Sequence, residues 1–137
     1  MMRLYFDTSI WLDIFEDRDE PMMPKSSYAK ELLELCVKQQ CTISISRVVF
    51  DEMQTLGYSV FDLDELFKPL RCLLVFLEPT ERQFGKAKDL SAKRNIPLRD
   101  AMHALIARDQ RATLVTRDRH FQVLRDIVPS VRPEDII

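Results

Sequence analysis

Short apolar or β-branched runs alternate with longer segments of helical periodicity along almost the entire chain. Residues 3–6, 42–45 and 112–116 predict strands, and residues 128–131 predict a last short one. Residues 73–77 are apolar and fit either a strand or a helix, of which we take the strand. The intervening residues predict helices at about 10–16, 26–37, 46–56, 60–67, 82–94 and 97–110. Strands that alternate with helices form parallel sheets with helices on both faces. We therefore predict an α/β fold with a central parallel sheet of about four to five strands flanked by helices.

The composition agrees with one folded domain, which we expect to span residues 1–137. Hydrophobic residues make up 46% of the chain, which is enough to build a core and argues against disorder. The 20 basic and 22 acidic residues leave a net charge of -2. A strongly basic domain is the usual mark of nucleic-acid binding. The balance does not exclude such binding, because carboxylates around a metal lower the net charge while basic residues elsewhere bind phosphates.

The cysteines and the apolar runs bear on the cellular location. Three cysteines without a CxxC pair predict buried free thiols rather than a disulfide framework or a zinc site. No apolar run approaches the roughly 20 residues that a membrane crossing needs. Asp7 interrupts the first apolar run too early for a signal peptide. We expect a cytoplasmic protein that does not enter a membrane.

Two acidic residues directly follow predicted strands. Asp7 comes after residues 3–6, and Asp118 comes just after residues 112–116. In open parallel sheets, ligands bind beyond the carboxyl ends of the strands. Each aspartate alone also fits a local role, Asp7 as a helix N-cap and Asp118 as a turn residue.

Glu52 is unusual because it falls near the apolar side of its predicted helix. Successive helical residues turn by about 100°, which places Glu52 within about 60° of the centre of the face formed by Val49, Met53 and Leu56. Its neighbour Asp51 points nearly the opposite way. A carboxylate on a buried face needs a partner. That partner is either a metal ion or an arginine at the edge of the core.

Asp100 lies in the first turn of a predicted helix that is apolar almost all round. The residue shares its side with Ala104 and Ala107, whose small side chains allow another element to approach closely. Asp100 then faces the interior or a cleft. The alternative is an acid that only complements the helix dipole.

The four acids together suggest a metal site. Carboxylates that converge at one end of a sheet repel each other and stay ionised only beside a cation. Oxygen ligands suit Mg²⁺ or Mn²⁺, which also bind water and phosphate oxygens. Such an ion can activate a water molecule and stabilise charge on a phosphodiester.

The acids lie in four sequence motifs. The motifs are Leu4-Tyr5-Phe6-Asp7-Thr8-Ser9, the segment from Ile45 to Met53 with Glu52, the segment from Ile96 to Ala104 with Asp100 and His103, and Leu114 to Phe121 with Thr116 and Asp118. Together they resemble the motifs of PIN-domain proteins, in particular the toxins of VapC-type toxin–antitoxin pairs. The similarity spans nearly the whole chain and reaches a family-like tail at residues 132–135.

The resemblance implies a Mg²⁺- or Mn²⁺-dependent endoribonuclease that acts as the toxin of a type II pair. It implies an RNA substrate, a cognate antitoxin protein and a homodimer. A PIN-fold nuclease selective for DNA or for nucleic-acid structure remains open, as does a nonhydrolytic nucleic-acid-binding or scaffold module. The acidic metal site carried over from the family is Asp7, Glu52, Asp100 and Asp118. Supporting or substrate-contact residues are Thr8, Ser9, Thr116, Arg117 and His120.

The sequence departs from the family pattern at two places. Some relatives carry a second acid two positions beyond the Asp118 equivalent, where this chain has His120. If that position supplies the fourth ligand, His120 would change the metal preference or weaken metal binding. Residues 61–77 carry no motif of the family. His103 is expected to be structural and His120 to face solvent, while Trp11 and Phe15 fit either the core or a partner interface. The arginines beside the acids contact phosphates or merely balance charge: Arg47, Arg99, Arg117 and Arg119.

Overall fold

Five strands form one parallel sheet in the computed structural model, which describes residues 2–137. The strands lie in the order β3-β2-β1-β4-β5, and every neighbouring pair is parallel. This arrangement confirms the predicted α/β fold and the upper end of the predicted strand number. The strands are β1 Arg3–Phe6, β2 Thr42–Ser46, β3 Leu74–Leu77, β4 Thr113–Val115 and β5 Ser130–Val131.

The helices follow the predicted series with small shifts at their ends. The first helix begins at Thr8 rather than residue 10, because Asp7 caps it directly after β1. Ser46 ends β2 and precedes a helix, but its side chain makes no capping hydrogen bond there. The helices are α1 Thr8–Phe15, α2 Lys25–Gln39, α3 Arg47–Thr55, α4 Val60–Phe67, α5 Glu81–Arg94 and α6 Leu98–Asp109, with 3₁₀ segments at Lys68–Leu73, Arg119–Leu124 and Pro133–Asp135.

Both faces of the sheet are covered by apolar side chains. Leu4 and Phe6 of β1 point into a core built with α1 to α4, and Tyr5 points into a second core built with α5 and α6. This alternation is the two-residue period of a strand. Trp11 is fully buried in the first core, where its ring centroid lies 5.0 Å from that of Phe6. Trp11 is therefore a core residue rather than a partner contact.

The register of the strands brings their carboxyl ends together. Phe6 at the end of β1 pairs with Val115 at the end of β4, so Asp7 and Thr116 are neighbours. The backbone N–H of Asp7 donates to the carbonyl of Val115 at 3.1 Å. Ser46 ends β2 on the other side of β1. The loops and helices that follow these three strands therefore start from one edge of the sheet.

All three cysteines are free, but they differ in exposure. Cys36 and Cys41 are buried as expected. Cys72 is exposed, contrary to expectation, because it lies in the surface 3₁₀ segment before β3. None of the helices within residues 2–137 combines the length and the hydropathy that a membrane crossing requires.

Candidate active site

All four predicted acids line one small cleft at the carboxyl ends of β1, β2 and β4. The cleft has a volume of about 220 Å³. The structure thus brings together residues that are up to 111 positions apart in the sequence, from Asp7 to Asp118. The remaining residues of the wall are Thr8, Ser9, Leu12, Leu56, Arg99, His103 and His120.

Asp7 both caps α1 and lines the cleft. The two roles predicted for it, helix N-cap and acid of the site, are therefore compatible. One carboxylate oxygen accepts hydrogen bonds from the Ser9 hydroxyl at 2.6 Å and the Ile10 N–H at 3.2 Å. The other oxygen accepts from the Thr116 hydroxyl. Burial raises the pKa of Asp7, while the bonds from Ser9 and Thr116 lower it. Ser9 and Thr116 therefore fix the orientation of the Asp7 carboxylate.

Asp100, Asp118 and His120 form the tightest cluster in the cleft. One donor atom from each lies within 4.8 Å of the others, and residues 2–137 hold no second such group of three. His120 Nδ1 lies 3.2 Å from Asp100 Oδ2 and 3.4 Å from Asp118 Oδ1. Although half-exposed, His120 faces the acids rather than solvent alone. Two carboxylates and one imidazole at this spacing fit a divalent cation.

The surroundings of Asp100 and Asp118 differ. Asp100 is buried in the first turn of α6, and burial together with the charge of Asp118 raises the pKa of Asp100. Asp118 is exposed and caps the 3₁₀ segment Arg119–Leu124 by accepting from the His120 N–H at 2.9 Å. Its own N–H donates to the Thr116 hydroxyl at 3.0 Å. Thr116 therefore links Asp118 to Asp7, and a bound cation would relieve the repulsion at Asp100.

Glu52 is held by a chain of hydrogen bonds that reaches back into the sheet. His103 Nε2 lies 2.6 Å from Glu52, and the Thr8 hydroxyl donates to the same oxygen at 3.0 Å. His103 Nδ1 lies 2.6 Å from the Tyr5 hydroxyl, which is 2.7 Å from the Ser46 hydroxyl. A carboxylate only accepts, so Nε2 carries a proton. In the neutral imidazole, Nδ1 then accepts from Tyr5 and Tyr5 accepts from Ser46.

The closest partner of Glu52 differs from the arginine considered from the sequence. Arg99 is the arginine that approaches Glu52, but its Nε is 3.5 Å from the carboxylate and its side chain is 62% exposed. His103 is closer and fully buried, which agrees with the structural role expected for it. The predicted apolar face of α3 holds for Val49 and Met53 but fails for Leu56, which is 59% exposed at the end of the helix.

The PIN domain family model matches residues 4–127 of this chain. The chain belongs to the PIN domain family. Several solved structures share the fold of this chain and align with it over nearly their full length. VapBC2 from Rickettsia felis, crystallised with a promoter DNA fragment, aligns with a TM-score of 0.68 and 20% identity over 96% of this chain and 98% of that chain.

Two further structures show the same similarity. A toxin–antitoxin complex from Klebsiella pneumoniae aligns with a TM-score of 0.65 and 21% identity over 95% of this chain and 97% of that chain. VapBC-1 from nontypeable Haemophilus influenzae aligns with a TM-score of 0.67 and 18% identity, covering 97% and 99% of the two chains. At these identities the likeness establishes the fold. No curated protein sequence matches the chain significantly.

Carboxylates on two sides hold the Arg117 side chain of this PIN domain in a largely buried position. Its Nη2 lies 2.7 Å from Glu134 of the C-terminal segment, and its Nε lies 3.8 Å from Asp13 of α1. Only 13% of the Arg117 side chain is exposed. The residue ties α1 and the C-terminal segment to the backbone next to Asp118, which leaves it poorly placed to contact a phosphate.

Tyr5, Ser46 and Asp13 were not found by sequence reasoning. Asp13 is buried, and burial raises its pKa to about 6 despite the opposing charges of Arg117, Lys25 and Arg18. An acid within the apolar run of α1 was the available signal for Asp13. The signal for Tyr5 was a hydroxyl in the middle of a buried strand, because a buried tyrosine needs a hydrogen-bond partner.

Proposed function

We propose that this PIN domain is a Mg²⁺- or Mn²⁺-dependent endoribonuclease, the toxin of a type II toxin–antitoxin pair. The observation that carries the proposal is the convergence of Asp7, Glu52, Asp100 and Asp118 on one cleft at the carboxyl edge of the sheet. A phosphodiester that enters this cleft meets carboxylates, which attract it only through a bridging cation. Membership of the PIN domain family supports nuclease chemistry. The roles of the individual residues are argued from the geometry of the cleft.

Asp100, Asp118 and His120 are the residues that would hold a cation, because their donor atoms already lie within 4.8 Å of one another. A bound divalent ion supplies a Lewis acid that stabilises phosphodiester charge and lowers the pKa of water. Asp7 is fixed by Ser9 and Thr116, so its carboxylate keeps one orientation towards the cleft. Glu52 is fixed by His103 and Thr8 through one carboxylate oxygen, and we assign it the role of orienting an attacking water molecule.

The toxin assignment is supported by the solved structures that share this fold. Complexes of toxin and antitoxin from two bacteria align with nearly the full length of this chain. We propose an antitoxin protein as the natural inhibitor, a homodimer as the assembly and the cytoplasm as the location. The RNA substrate follows from the same assignment, and DNA is the competing substrate that the test below includes.

The test is cleavage of fluorescent single-stranded RNA and DNA of equal sequence in Mg²⁺, Mn²⁺ or EDTA. We expect cutting of RNA with metal and none with EDTA. Asp7→Asn and Asp100→Asn should each lower the rate by at least about 100-fold, since each removes a carboxylate charge from the cleft that would attract the catalytic cation. Asp51→Asn is the matched control, because Asp51 is an exposed acid next to Glu52 on α3.

Each contrary result has a defined meaning. Cleavage of DNA in preference to RNA would replace the ribonuclease by a DNA nuclease with the same site. Full metal-dependent activity in Asp7→Asn would remove Asp7 from the site. No cleavage by folded protein free of antitoxin, with unchanged Mn²⁺ binding in Asp100→Asn, would favour the nonhydrolytic module.

A further inference from the structure

A second polar cleft adjoins the acidic cleft and shares Asp118 with it. This cleft has a volume of about 470 Å³ and lies between the 3₁₀ segment Arg119–Leu124, β5 and the C-terminal segment. Its wall contains four arginines and two aspartates, together with Gln122 and Ser130. When a nucleic-acid strand is bound for cutting at the acidic cleft, the phosphates on either side of the cut lie against the neighbouring protein surface. The second cleft is part of that surface, because it begins at Asp118.

Two of the four arginines in the wall are already neutralised. Arg117 is paired with Glu134, and Arg132 is paired with Asp135 at 3.2 Å. Arg119 and Arg125 are exposed, and neither makes a hydrogen bond or an ion pair with any residue in the range 2–137. Of the four arginines that the sequence placed beside the acids, Arg119 alone keeps an uncompensated charge, because Arg47 binds Glu78 and Arg99 approaches Glu52.

The 3₁₀ geometry explains why the free cations form a row. A 3₁₀ helix has three residues per turn, so side chains three positions apart lie above one another. Phe121 and Leu124 form the row that is buried in the core. Arg119, Gln122 and Arg125 form an exposed row, and Arg125 continues the turn with φ −64° and ψ −23°. At about 2 Å per residue the row is about 12 Å long, which allows contact with more than one phosphate.

We infer that Arg119 and Arg125, with Gln122 between them, bind the phosphate backbone of the RNA substrate beside the acidic cleft. The inference rests on the proposed function and adds the path of the strand. The chain carries a net charge of -2, and the cleft itself is acidic, so attraction for a polyanion must come from a local group of unpaired cations. Guanidinium groups suit this task because they bind phosphate oxygens in pairs.

The experiment compares Arg119→Gln/Arg125→Gln with wild type and with Arg82→Gln. Arg82 is also an exposed arginine and lies in the first turn of α5. Its neighbour Gln83 contacts Asp109, the last residue of α6, whereas Asp100 lies in the first turn of that helix. Steady-state cleavage of the fluorescent RNA is measured in Mn²⁺ at several salt concentrations. For the double variant we expect KM to rise roughly three- to tenfold with kcat unchanged. The slope of log kcat/KM against log salt should be shallower by about 1.4, or about 0.7 for each lost phosphate contact.

The outcomes separate this inference from the proposed function. A double variant with wild-type KM and salt slope, in a wild-type protein that cleaves RNA, overturns the inference and leaves the nuclease intact. An equal loss in Arg82→Gln also overturns it, because a general charge effect then explains the data. If wild type does not cleave RNA, the proposed function fails, and fluorescence anisotropy of the same labelled RNA becomes the readout. Equal RNA affinity of wild type and double variant then overturns the inference as well.

Discussion

Tyr5→Phe removes one buried hydroxyl and two hydrogen bonds while it keeps the aromatic ring. The hydroxyl lies 2.6 Å from His103 Nδ1 and 2.7 Å from the Ser46 hydroxyl, and all three residues are buried. After the change, His103 Nδ1 lacks a donor and the Ser46 hydroxyl lacks its acceptor. A buried polar group left without a partner costs about 1–3 kcal/mol.

We therefore expect Tyr5→Phe to lower the free energy of unfolding by about 2–3 kcal/mol, since the Ser46 hydroxyl can rotate and recover part of its loss. For a chain of this size the matching fall in Tm is roughly 6–12 °C. Urea unfolding followed by the fluorescence of Trp11 measures the change, because Trp11 is the single tryptophan and is fully buried. Circular dichroism of the same samples checks that unfolding is two-state.

Tyr28→Phe is the matched control. Tyr28 is half-buried on α2, and its hydroxyl makes no hydrogen bond within the part of the chain that the structure describes. We expect its stability to stay within about 0.5 kcal/mol of wild type. A Tyr5→Phe protein as stable as Tyr28→Phe would refute the view that the chain from Ser46 to Glu52 is a satisfied buried network.

Three further changes test other parts of the account. The pKa of Asp13 is raised to about 6, so its protonation favours the fold as pH falls. Wild type should therefore gain stability between pH 7 and pH 5, whereas Asp13→Asn cannot. The Tm of Asp13→Asn minus the Tm of wild type should decrease over this range, and a difference that does not change with pH would contradict this. Glu134→Gln leaves Arg117 without its main partner and should lower the free energy of unfolding in urea by about 1–2 kcal/mol. An unchanged urea midpoint would show that the pair does not contribute to stability. His120→Asp replaces an imidazole by a hard oxygen ligand, so the ratio of Mn²⁺ to Mg²⁺ affinity in calorimetry should fall. An unchanged ratio would place His120 outside the metal site.

The position of the acids was predictable because it depends on local patterns. Asp7 and Asp118 follow strands, and the carboxyl ends of parallel strands meet at one edge. Glu52 was found because its place on α3 conflicts with the apolar face, and a conflict of this kind often marks a functional residue. The alternation of strands and helices was sufficient to predict the sheet and its helical cover.

The partners of the polar residues were not predictable from sequence. His103 meets Tyr5 across 98 positions and Glu52 across 51, and nothing in either segment specifies the other. Arg117 and Arg119 lie two positions apart and have the same chemistry, yet Arg117 is bound by Glu134 and Arg119 makes no ion pair within residues 2–137. Such differences depend on the way loops and the C-terminal segment fold back on the sheet. Local periodicity contains no information about that packing.

Calorimetric titration of the metal-free protein with Mn²⁺ tests the central claim most directly. Wild type and Asp51→Asn should bind Mn²⁺ with the same affinity, because Asp51 is exposed on α3 and does not line the cleft. Asp100→Asn should lose measurable binding while its circular dichroism stays native, because Asp100 supplies one of three donors that lie within 4.8 Å of one another. Wild-type affinity in folded Asp100→Asn would contradict the claim that this cleft holds the catalytic metal.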